Sequence, residues 1–277
     1  MKKNIQIKDI KIGQAEAPVM IAGPCVIENY ELTYRIANYL KQLTQRLGLP
    51  LIFKASFDKA NRTSIKAYRG PGLDEGLQIL AQIKAELDIP ILSDVHDINQ
   101  IDTAAQVLDI LQIPAFLCRQ TDFILEVARS GKVVNIKKGQ FLAPWDVANI
   151  VEKIESTANQ QIVITERGAS FGYNNLVVDF RGIQIMQDTG CPIIFDATHS
   201  VQLPGGAGTS SGGQREYAPA LARAAIAAGA DGVFLEVHPD PDNALCDGPN
   251  SLYLDSLEPL FTQLLAIYKI VTTGNRR

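Results

Sequence analysis

The chain has 277 residues, of which 46% are hydrophobic and 20% charged, and its formal net charge is −4. This size fits one large α/β domain as well as two small ones. The acidic balance and the clustering of the basic residues argue against nucleic acid as a partner, and the lack of any run near the roughly 20 apolar residues of a membrane helix argues against a membrane.

The first segment, residues 5–13, alternates apolar and polar side chains and closes on Gly13. This pattern predicts a short β-hairpin cap within residues 1–16. Eight short, β-rich apolar runs follow, separated by segments with apolar residues at the three- and four-residue spacing of amphipathic helices. The runs are residues 19–24, 51–56, 90–95, 110–115, 133–139, 162–168, 192–200 and 232–239.

Strict alternation of strands and helices implies parallel strands joined by helical crossovers. Eight such units are what a closed (β/α)₈ TIM barrel requires, so we predict one barrel domain over residues 1–277. A doubly wound open sheet is the competing fold, but the first strand ends in Gly-Pro-Cys without a G-x-G-x-x-G turn. The glycine-rich stretch 205–213 matches neither that motif nor a P-loop, and we predict a mobile loop there.

Polar side chains follow each predicted strand, where barrel enzymes carry their catalytic groups. A lone His or Asp at such a position is as often structural as functional. A set at all eight strand ends favours an active site. The set comprises Cys25, Lys54, Ser56, Asp94, His96, Gln112, Arg119, Lys137, Glu166, Arg167, Asp196, His199, Glu236 and His238.

Residues 51–72 hold a local concentration of positive charge, with five basic residues against Asp58 alone. The bland interpretation is a solvated loop, but the cluster follows a buried-type strand, which favours an anion site. Six cations near strand ends are too many for one carboxylate, so we expect two anionic, phosphorylated substrates. The cations are Lys54, Lys59, Arg62, Arg119, Lys137 and Arg167.

A second set combines Cys25, His199 and Glu236 with Asp247 from the segment after the last strand. Barrel closure makes the first and eighth strands neighbours, so these groups can converge as ligands of a divalent first-row metal. Without that closure, Cys25 is better explained as a buried structural residue.

The cysteines form no C-x-x-C pair, which indicates free thiols and a cytoplasmic location. We interpret Cys118 and Cys191 as packing residues. The single tryptophan, Trp145 in LAPWD, is predicted to anchor the start of a helix.

Eight motifs between residues 22 and 249 closely resemble the 3-deoxy-D-manno-octulosonate 8-phosphate synthase family, also called 2-dehydro-3-deoxyphosphooctonate aldolases. They are GPCVIEN, KASFDKANRTS, SDVH, QIPAFLCRQTD, NIKKGQF, TERGASFGYNNLVVDFR, DATHSVQLPGG and EVHPDPDNALCDGP. The resemblance implies a (β/α)₈ enzyme that condenses phosphoenolpyruvate with D-arabinose 5-phosphate and water, releasing phosphate, for the Kdo sugar of lipopolysaccharide. It also implies a cytoplasmic homotetramer without an organic cofactor.

The resemblance assigns roles residue by residue. The phosphoenolpyruvate carboxylate would contact Lys54, Ser56 and Lys59, and its phosphate would contact Gln112, Lys137 and Arg167. The arabinose phosphate and its hydroxyls would contact Asn61, Arg62, Thr63 and, across a subunit interface, Arg119, with Phe116 as a wall. Reacting atoms would lie beside Lys54, Asp94, His96, Lys137, His199 and Asp247.

Two residues give opposite indications of whether the resemblance is to metal-dependent or to metal-independent members of the family. Cys25 after Gly-Pro is typical of metal-dependent members, which implies a divalent ion (Mn, Fe, Zn or Co) on Cys25, His199, Glu236 and Asp247. Cys246 before Asp247 is typical of metal-independent members, because metal-dependent ones commonly have Ser there. A thiolate binds a metal and an Asn amide binds poorly, so we expect metal dependence.

Three other interpretations stay open. The related 3-deoxy-arabino-heptulosonate 7-phosphate synthases use erythrose 4-phosphate and typically have a Lys-Pro-Arg-Thr-type stretch where this chain has residues 59–63, KANRT. A Schiff-base aldolase could use Lys54 or Lys137. A barrel that only binds sugar phosphates would need no reaction at all.

Overall fold

The computed structural model describes residues 3–205 and 212–274. Its first element is an antiparallel hairpin of strands Ile5–Ile7 and Ile10–Ile12, with Ile5 opposite Ile12. The four isoleucines of the hairpin are buried, while Gln6 and Lys11 between them are exposed. The predicted N-terminal hairpin is therefore confirmed, and its period-two pattern is explained by one buried face.

Eight parallel strands form a closed barrel, as the eight apolar runs predict. Strands 1 to 8 of the barrel are Val19–Gly23, Leu51–Lys54, Ile91–Asp94, Ile110–Ile113, Val133–Lys137, Ile162–Glu166, Ile193–Asp196 and Gly232–His238. The barrel closes because strand 8 pairs in parallel with strand 1 on one side and strand 7 on the other. The first and last motifs of the chain thereby become neighbours.

Eight α-helices lie in the described part of the chain. They are α1 Tyr30–Leu47, α2 Leu73–Leu87, α3 Ile101–Val107, α4 Thr121–Arg129, α5 Val147–Glu155, α6 Arg181–Gln187, α7 Ala218–Ala227 and α8 Leu257–Gly274. Local signals set their ends: the Asn29 side chain accepts from the Leu32 N–H at 2.8 Å to begin α1, and Gly48, at φ 66°, ends it. None of the described helices is long and apolar enough to cross a membrane.

Two-residue strands decorate the loops after barrel strands 6, 7 and 8. Ala169–Ser170 pairs with Leu176–Val177, Gln202–Leu203 pairs with Gly212–Gly213, and Leu252–Tyr253 pairs in parallel with the end of strand 8. Residues 206–211, the centre of the predicted mobile loop, lie outside the described residues.

Side chains along each barrel strand alternate between the interior and the helices. Apolar interior residues such as Ile21, Ile52 and Leu92 pack against the hairpin isoleucines and close the amino end of the barrel. Two positions further along strands 1 to 3, the interior residues are Gly23, Lys54 and Asp94. The alternation therefore directs charged side chains to the carboxyl end.

A polar layer separates the apolar and charged ends of the interior. Asn135 Nδ2 donates to Gln112 Oε1 at 2.9 Å, and Thr165 Oγ1 donates to Asn135 Oδ1 at 2.7 Å. All three residues are buried, so each hydrogen bond offsets a desolvation cost and fixes Gln112 at the floor of the cleft.

Two smaller predictions have different outcomes. Cys118 and Cys191 are buried in the main hydrophobic core, which confirms them as packing residues. Trp145 does lie at the start of α5, in the short 3₁₀ turn Pro144–Asp146. Its side chain is 66% exposed, however, so it does not anchor the helix by packing, and that prediction is wrong.

Candidate active site

A cleft opens at the carboxyl end of the barrel, and it collects side chains from most of the strand ends. Five cations and four carboxylates line it, so the positive charge predicted from the sequence is largely balanced by acids. The predicted residues that line the cleft are Lys54, Lys59, Asn61, Arg62, Thr63, Asp94, Gln112, Phe116, Lys137, Arg167, Asp196, His199, Glu236 and Asp247.

The loop after strand 2 carries the KANRT motif, residues 59–63, to this cleft. The loop is closed at its base by the Lys59 N–H, which donates to the Arg69 carbonyl at 2.7 Å, and by an ion pair between Arg69 and Asp58. Arg69 thus holds the loop rather than lining the site. Between these ends the chain presents residues 61–63 to the cleft.

Glu236 is the most enclosed acid in the site and lies among cations. Lys54 Nζ donates to its Oε1 at 2.7 Å and to the Cys25 carbonyl at 2.8 Å, and Lys59 Nζ lies 3.5 Å from the same Oε1. Burial opposes ionisation of Glu236, but Lys54, His199 and Lys59 outweigh it and hold its pKa well below the usual range. The glutamate is therefore an anion at neutral pH.

Lys137, Asp196 and His199 form a second chain of charge. Lys137 Nζ donates to Asp196 Oδ2, and His199 Nδ1 lies 2.7 Å from the same oxygen. Burial raises the pKa of Asp196, but His199 and Lys137 reverse the effect and lower it. Burial likewise lowers the pKa of His199, and Asp196 and Glu236 raise it overall. Asp196 orients both neighbours, a role that the sequence did not reveal.

Asp94 contacts two predicted site residues that do not themselves line the cleft. The Ser56 hydroxyl donates to Asp94 Oδ1, and His96 Nε2 lies 2.8 Å from Oδ2. Burial opposes ionisation of Asp94, but His96, Lys59 and Lys54 lower its pKa strongly. Ser56 and His96 are therefore placed to orient an ionised Asp94.

Arg167 carries an unused hydrogen-bond donor into the cleft. Its Nη2 donates to Gln202 Oε1 at 3.0 Å, whereas its buried Nη1 has no hydrogen-bond partner in the described residues. Burial lowers the pKa of the guanidinium, although Asp196 and Asp247 oppose this. A buried, unpaired cationic donor is costly, and an anionic ligand removes that cost.

The predicted metal ligands gather at the junction of strands 1, 7 and 8, but they fall into two overlapping groups. Ligand atoms of His199, Glu236 and Asp247 lie within 4.8 Å of one another, and so do those of Cys25, Cys246 and Asp247. The second group includes Cys246, which the sequence analysis assigned no ligand role. Asp247 joins the two groups.

These residues fit a divalent ion chemically. Glu236 Oε2 is buried without a hydrogen-bond partner in the chain as described, 3.5 Å from His199 Nε2. His199 directs its other ring nitrogen to the Asp196 carboxylate, the arrangement that orients metal-binding histidines. Burial and the contact with Cys246 raise the pKa of Cys25 well above its usual value, so a metal would have to displace its proton.

The chain is similar to known proteins over nearly its whole length. The sequence profile of the DAHP synthetase I family matches residues 2–271. The chain belongs to this family. A 2-dehydro-3-deoxyphosphooctonate aldolase of Desulfosudis oleivorans is 65% identical over 273 residues, covering 98% of each chain. The enzymes with that name from Geobacter metallireducens and Syntrophotalea carbinolica are 62% and 60% identical, covering 98% of this chain and 100% and 98% of theirs.

The resemblance seen in the motifs is therefore confirmed, because these relatives of the DAHP synthetase I family bear the name of the family that the motifs indicate. Of the residues that the resemblance assigns to the site, Cys25, Ser56, His96 and Arg119 are not among those that line the cleft. The side chain of Arg119 is exposed. Nearby Phe116 does line the cleft while remaining 55% exposed.

Proposed function

We propose that this member of the family condenses phosphoenolpyruvate with D-arabinose 5-phosphate and water to give 3-deoxy-D-manno-octulosonate 8-phosphate and inorganic phosphate. The name of the 59–65% identical relatives supports this activity. The observation that carries it is the unpartnered Arg167 Nη1 at the floor of a cleft lined by four further cations. Such a cleft suits two phosphorylated substrates.

The phosphate of phosphoenolpyruvate is proposed to bind Arg167, Lys137 and Gln112. Lys137 and Arg167 are both buried, and Gln112 is fixed by Asn135, so the three groups need little ordering when the anion arrives. Lys54 and Lys59, which share Glu236, are proposed to bind the carboxylate. Ser56 contributes through Asp94, to which it donates.

The sugar phosphate is proposed to bind the loop residues Asn61, Arg62 and Thr63, at the open side of the cleft beside Phe116. Arg62 Nη1 lies 3.9 Å from Asp247, which leaves its other donors available for a phosphate. Arg119 is proposed to reach this phosphate from a second subunit of a cytoplasmic homotetramer. That arrangement accounts for an arginine that is exposed and does not line the cleft of its own chain.

In the proposed reaction, C3 of phosphoenolpyruvate bonds to the sugar aldehyde carbon, and water adds at C2. The hemiketal phosphate then loses phosphate by C–O cleavage, leaving the C2 ketone. Lys54, Lys137 and Arg167 stabilise the negative charge that develops, and fixed positions for both reactants supply proximity. Asp94 is proposed to line the reacting centre, and His96, which contacts Asp94 without lining the cleft, can hold a proton beside it.

A divalent ion held by Cys25, His199, Glu236 and Asp247 would polarise the sugar aldehyde. The residues orient themselves for this without the ion: Asp196 fixes the ring of His199, and Lys54 fixes one oxygen of Glu236. Exhaustive chelation should abolish phosphate release, and readdition of Mn²⁺, Fe²⁺, Zn²⁺ or Co²⁺ should restore it. Full turnover of metal-free protein would exclude an essential ion.

The activity itself is tested by measuring phosphate release with two sugars. Phosphoenolpyruvate with arabinose 5-phosphate should release one phosphate per octulosonate phosphate formed, and erythrose 4-phosphate should support little turnover. Preference for erythrose 4-phosphate would indicate the heptulosonate synthase instead. No release with either sugar would favour a binding protein.

The Schiff-base alternative requires a free amine at Lys54 or Lys137. Both side chains lie in buried ion pairs, with Glu236 and Asp196 respectively, which ties up the amines as donors. Treatment with borohydride in the presence of both substrates should leave the mass of the protein unchanged. A substrate-derived mass increase at either lysine would establish the imine route.

A further inference from the structure

The second group of potential ligands contains a cysteine outside the predicted set. Cys246 Sγ lies 2.7 Å from Cys25 Sγ, and both cysteines are only 4% exposed. Their sulfur atoms and a carboxylate oxygen of Asp247 lie within 4.8 Å of one another. Both thiols therefore point at one position beside an acid already shared with His199 and Glu236.

The surroundings of this position favour a cation-binding role over simple packing. Cys246 lines the charged cleft and packs with Cys25 and Val26 in a small buried cluster, whereas Cys118 lies in the main core. The buried Glu236 Oε2 has no hydrogen-bond partner among residues 3–205 and 212–274, and its contact with His199 Nε2, at 3.5 Å, leaves it able to accept a cation. Besides the Cys25 thiol, Arg62 Nη1 donates to Cys246 Sγ, at 2.9 Å.

We propose that Cys246 is a second sulfur ligand, beside Cys25, for the divalent ion bound by His199, Glu236 and Asp247. A site with two thiolates is softer than one with a single thiolate and favours Zn²⁺ or Co²⁺ over Mn²⁺ and Mg²⁺. The inference rests on the metal part of the proposed function. It adds that the residue before Asp247 sets which ion the enzyme prefers.

The number of sulfur ligands can be measured directly on the wild-type protein. X-ray absorption fine structure of the zinc-loaded enzyme, reduced throughout, should show two sulfur scatterers at about 2.3 Å. One sulfur scatterer would overturn the proposal. This measurement needs no variant, so it does not depend on whether a substituted chain folds.

Cobalt substitution assigns the sulfurs to residues. The thiolate-to-cobalt absorption of the Co²⁺ enzyme should fall to about half in Cys246→Ser and in Cys25→Ser, and should vanish in the double variant. Cys118→Ser, which removes a buried cysteine of the core, is the control and should retain the full band. A full band in Cys246→Ser would overturn the proposal.

Metal preference gives a third readout. Cys246→Ser should lose affinity for Zn²⁺ by at least tenfold while its affinity for Mn²⁺ changes less, because serine replaces a soft ligand with a hard one. Equal losses for both ions would contradict the inference. Phosphate release in the wild type is scored separately, so a sulfur count of one with intact condensation overturns only the role of Cys246.

Discussion

The two ends of the barrel are built from the same eight strands but have opposite character. At the amino end, the interior residues Val19, Ile52 and Ile194 pack against the four isoleucines of the hairpin. At the carboxyl end, the interior residues of the same strands are Gly23, Lys54 and Asp196. Position along a strand, with its interior direction unchanged, therefore separates residues that stabilise the fold from residues available for chemistry.

The comparison also explains how the site tolerates so much buried charge. Lys54 pairs with Glu236 and Lys137 with Asp196, in each case between two strands that are separated by one other strand, and His96 contacts Asp94 at the end of strand 3. Arg167 Nη1 and Glu236 Oε2 remain without hydrogen-bond partners within the described ranges. A buried donor and a buried acceptor left open in one cleft mark where an anion and a cation bind.

The largest expected effect comes from removing charge at the carboxyl end. Arg167→Gln should lower kcat/KM for phosphoenolpyruvate by about 10³-fold, because it removes a preorganised donor to the phosphate. Its thermal midpoint should change little, because Nη1 has no hydrogen-bond partner among the described residues and the loss of Nη2 costs the hydrogen bond to Gln202. Arg181→Gln, an exposed arginine paired with Asp179, is the control for a change of charge alone.

The amino end should respond in the opposite way. Ile12→Ala should reduce the free energy of unfolding by about 2–5 kcal/mol, because it leaves a cavity under the hairpin. Denaturant unfolding measures this loss, and kcat/KM per folded molecule should be unchanged at low temperature. Ile270→Ala, on an exposed part of α8, should cost almost nothing. Loss of activity in folded Ile12→Ala would show that the amino end of the barrel contributes to activity as well as to stability.

The pH dependence of kcat/KM is a further test of the charged groups at the carboxyl end. Burial outweighs the Asp196 contact and lowers the pKa of Lys137 to about 8. Lys137 is charged below that pH and neutral above it, so kcat/KM for phosphoenolpyruvate should fall as pH rises and be about tenfold lower one unit above the pKa. Lys137→Arg keeps its charge, so its profile should be flat over this range. The same alkaline fall in that variant would assign the titration to another group.

The smallest expected effect is that of substitutions in the loop that carries the KANRT motif, residues 59–63. Thr63→Ser keeps the hydroxyl, so KM for arabinose 5-phosphate should stay within about twofold of the wild type. Thr63→Val keeps the shape but loses the hydrogen-bonding group, and its KM should rise by about tenfold, the effect of one lost hydrogen bond. Equal KM values for the two variants would show that the hydroxyl makes no contact with the sugar.

Much of the fold could be predicted because the alternation of strands and helices is a local pattern repeated eight times. The ends of the elements were predicted less accurately than their order, and the structure shows why. The seventh run was predicted to extend to residue 200, but its strand ends at Asp196, whose Oδ1 accepts from the His199 N–H at 2.9 Å. That hydrogen bond turns the chain, and apolar periodicity carries no sign of it.

Some residues of the site could likewise be predicted from the sequence, and others could not. Lys54, Asp94 and Glu236 could be identified because each follows an apolar run and shares its interior direction. The role of Asp196 as a link between Lys137 and His199 depends on contacts between different strands. Cys246 touches Cys25 across 221 positions of sequence, so no spacing rule could connect them. Only closure of the barrel brings these partners together.

A crystal structure of the reduced enzyme with phosphoenolpyruvate and arabinose 5-phosphate would locate both substrates in the cleft. The proposed binding arrangement requires the enol phosphate within about 3 Å of Arg167 Nη1 and Lys137 Nζ, with the sugar phosphate on the loop at residues 61–63. An enol phosphate bound on that loop, with Arg167 Nη1 still unpartnered, would contradict it.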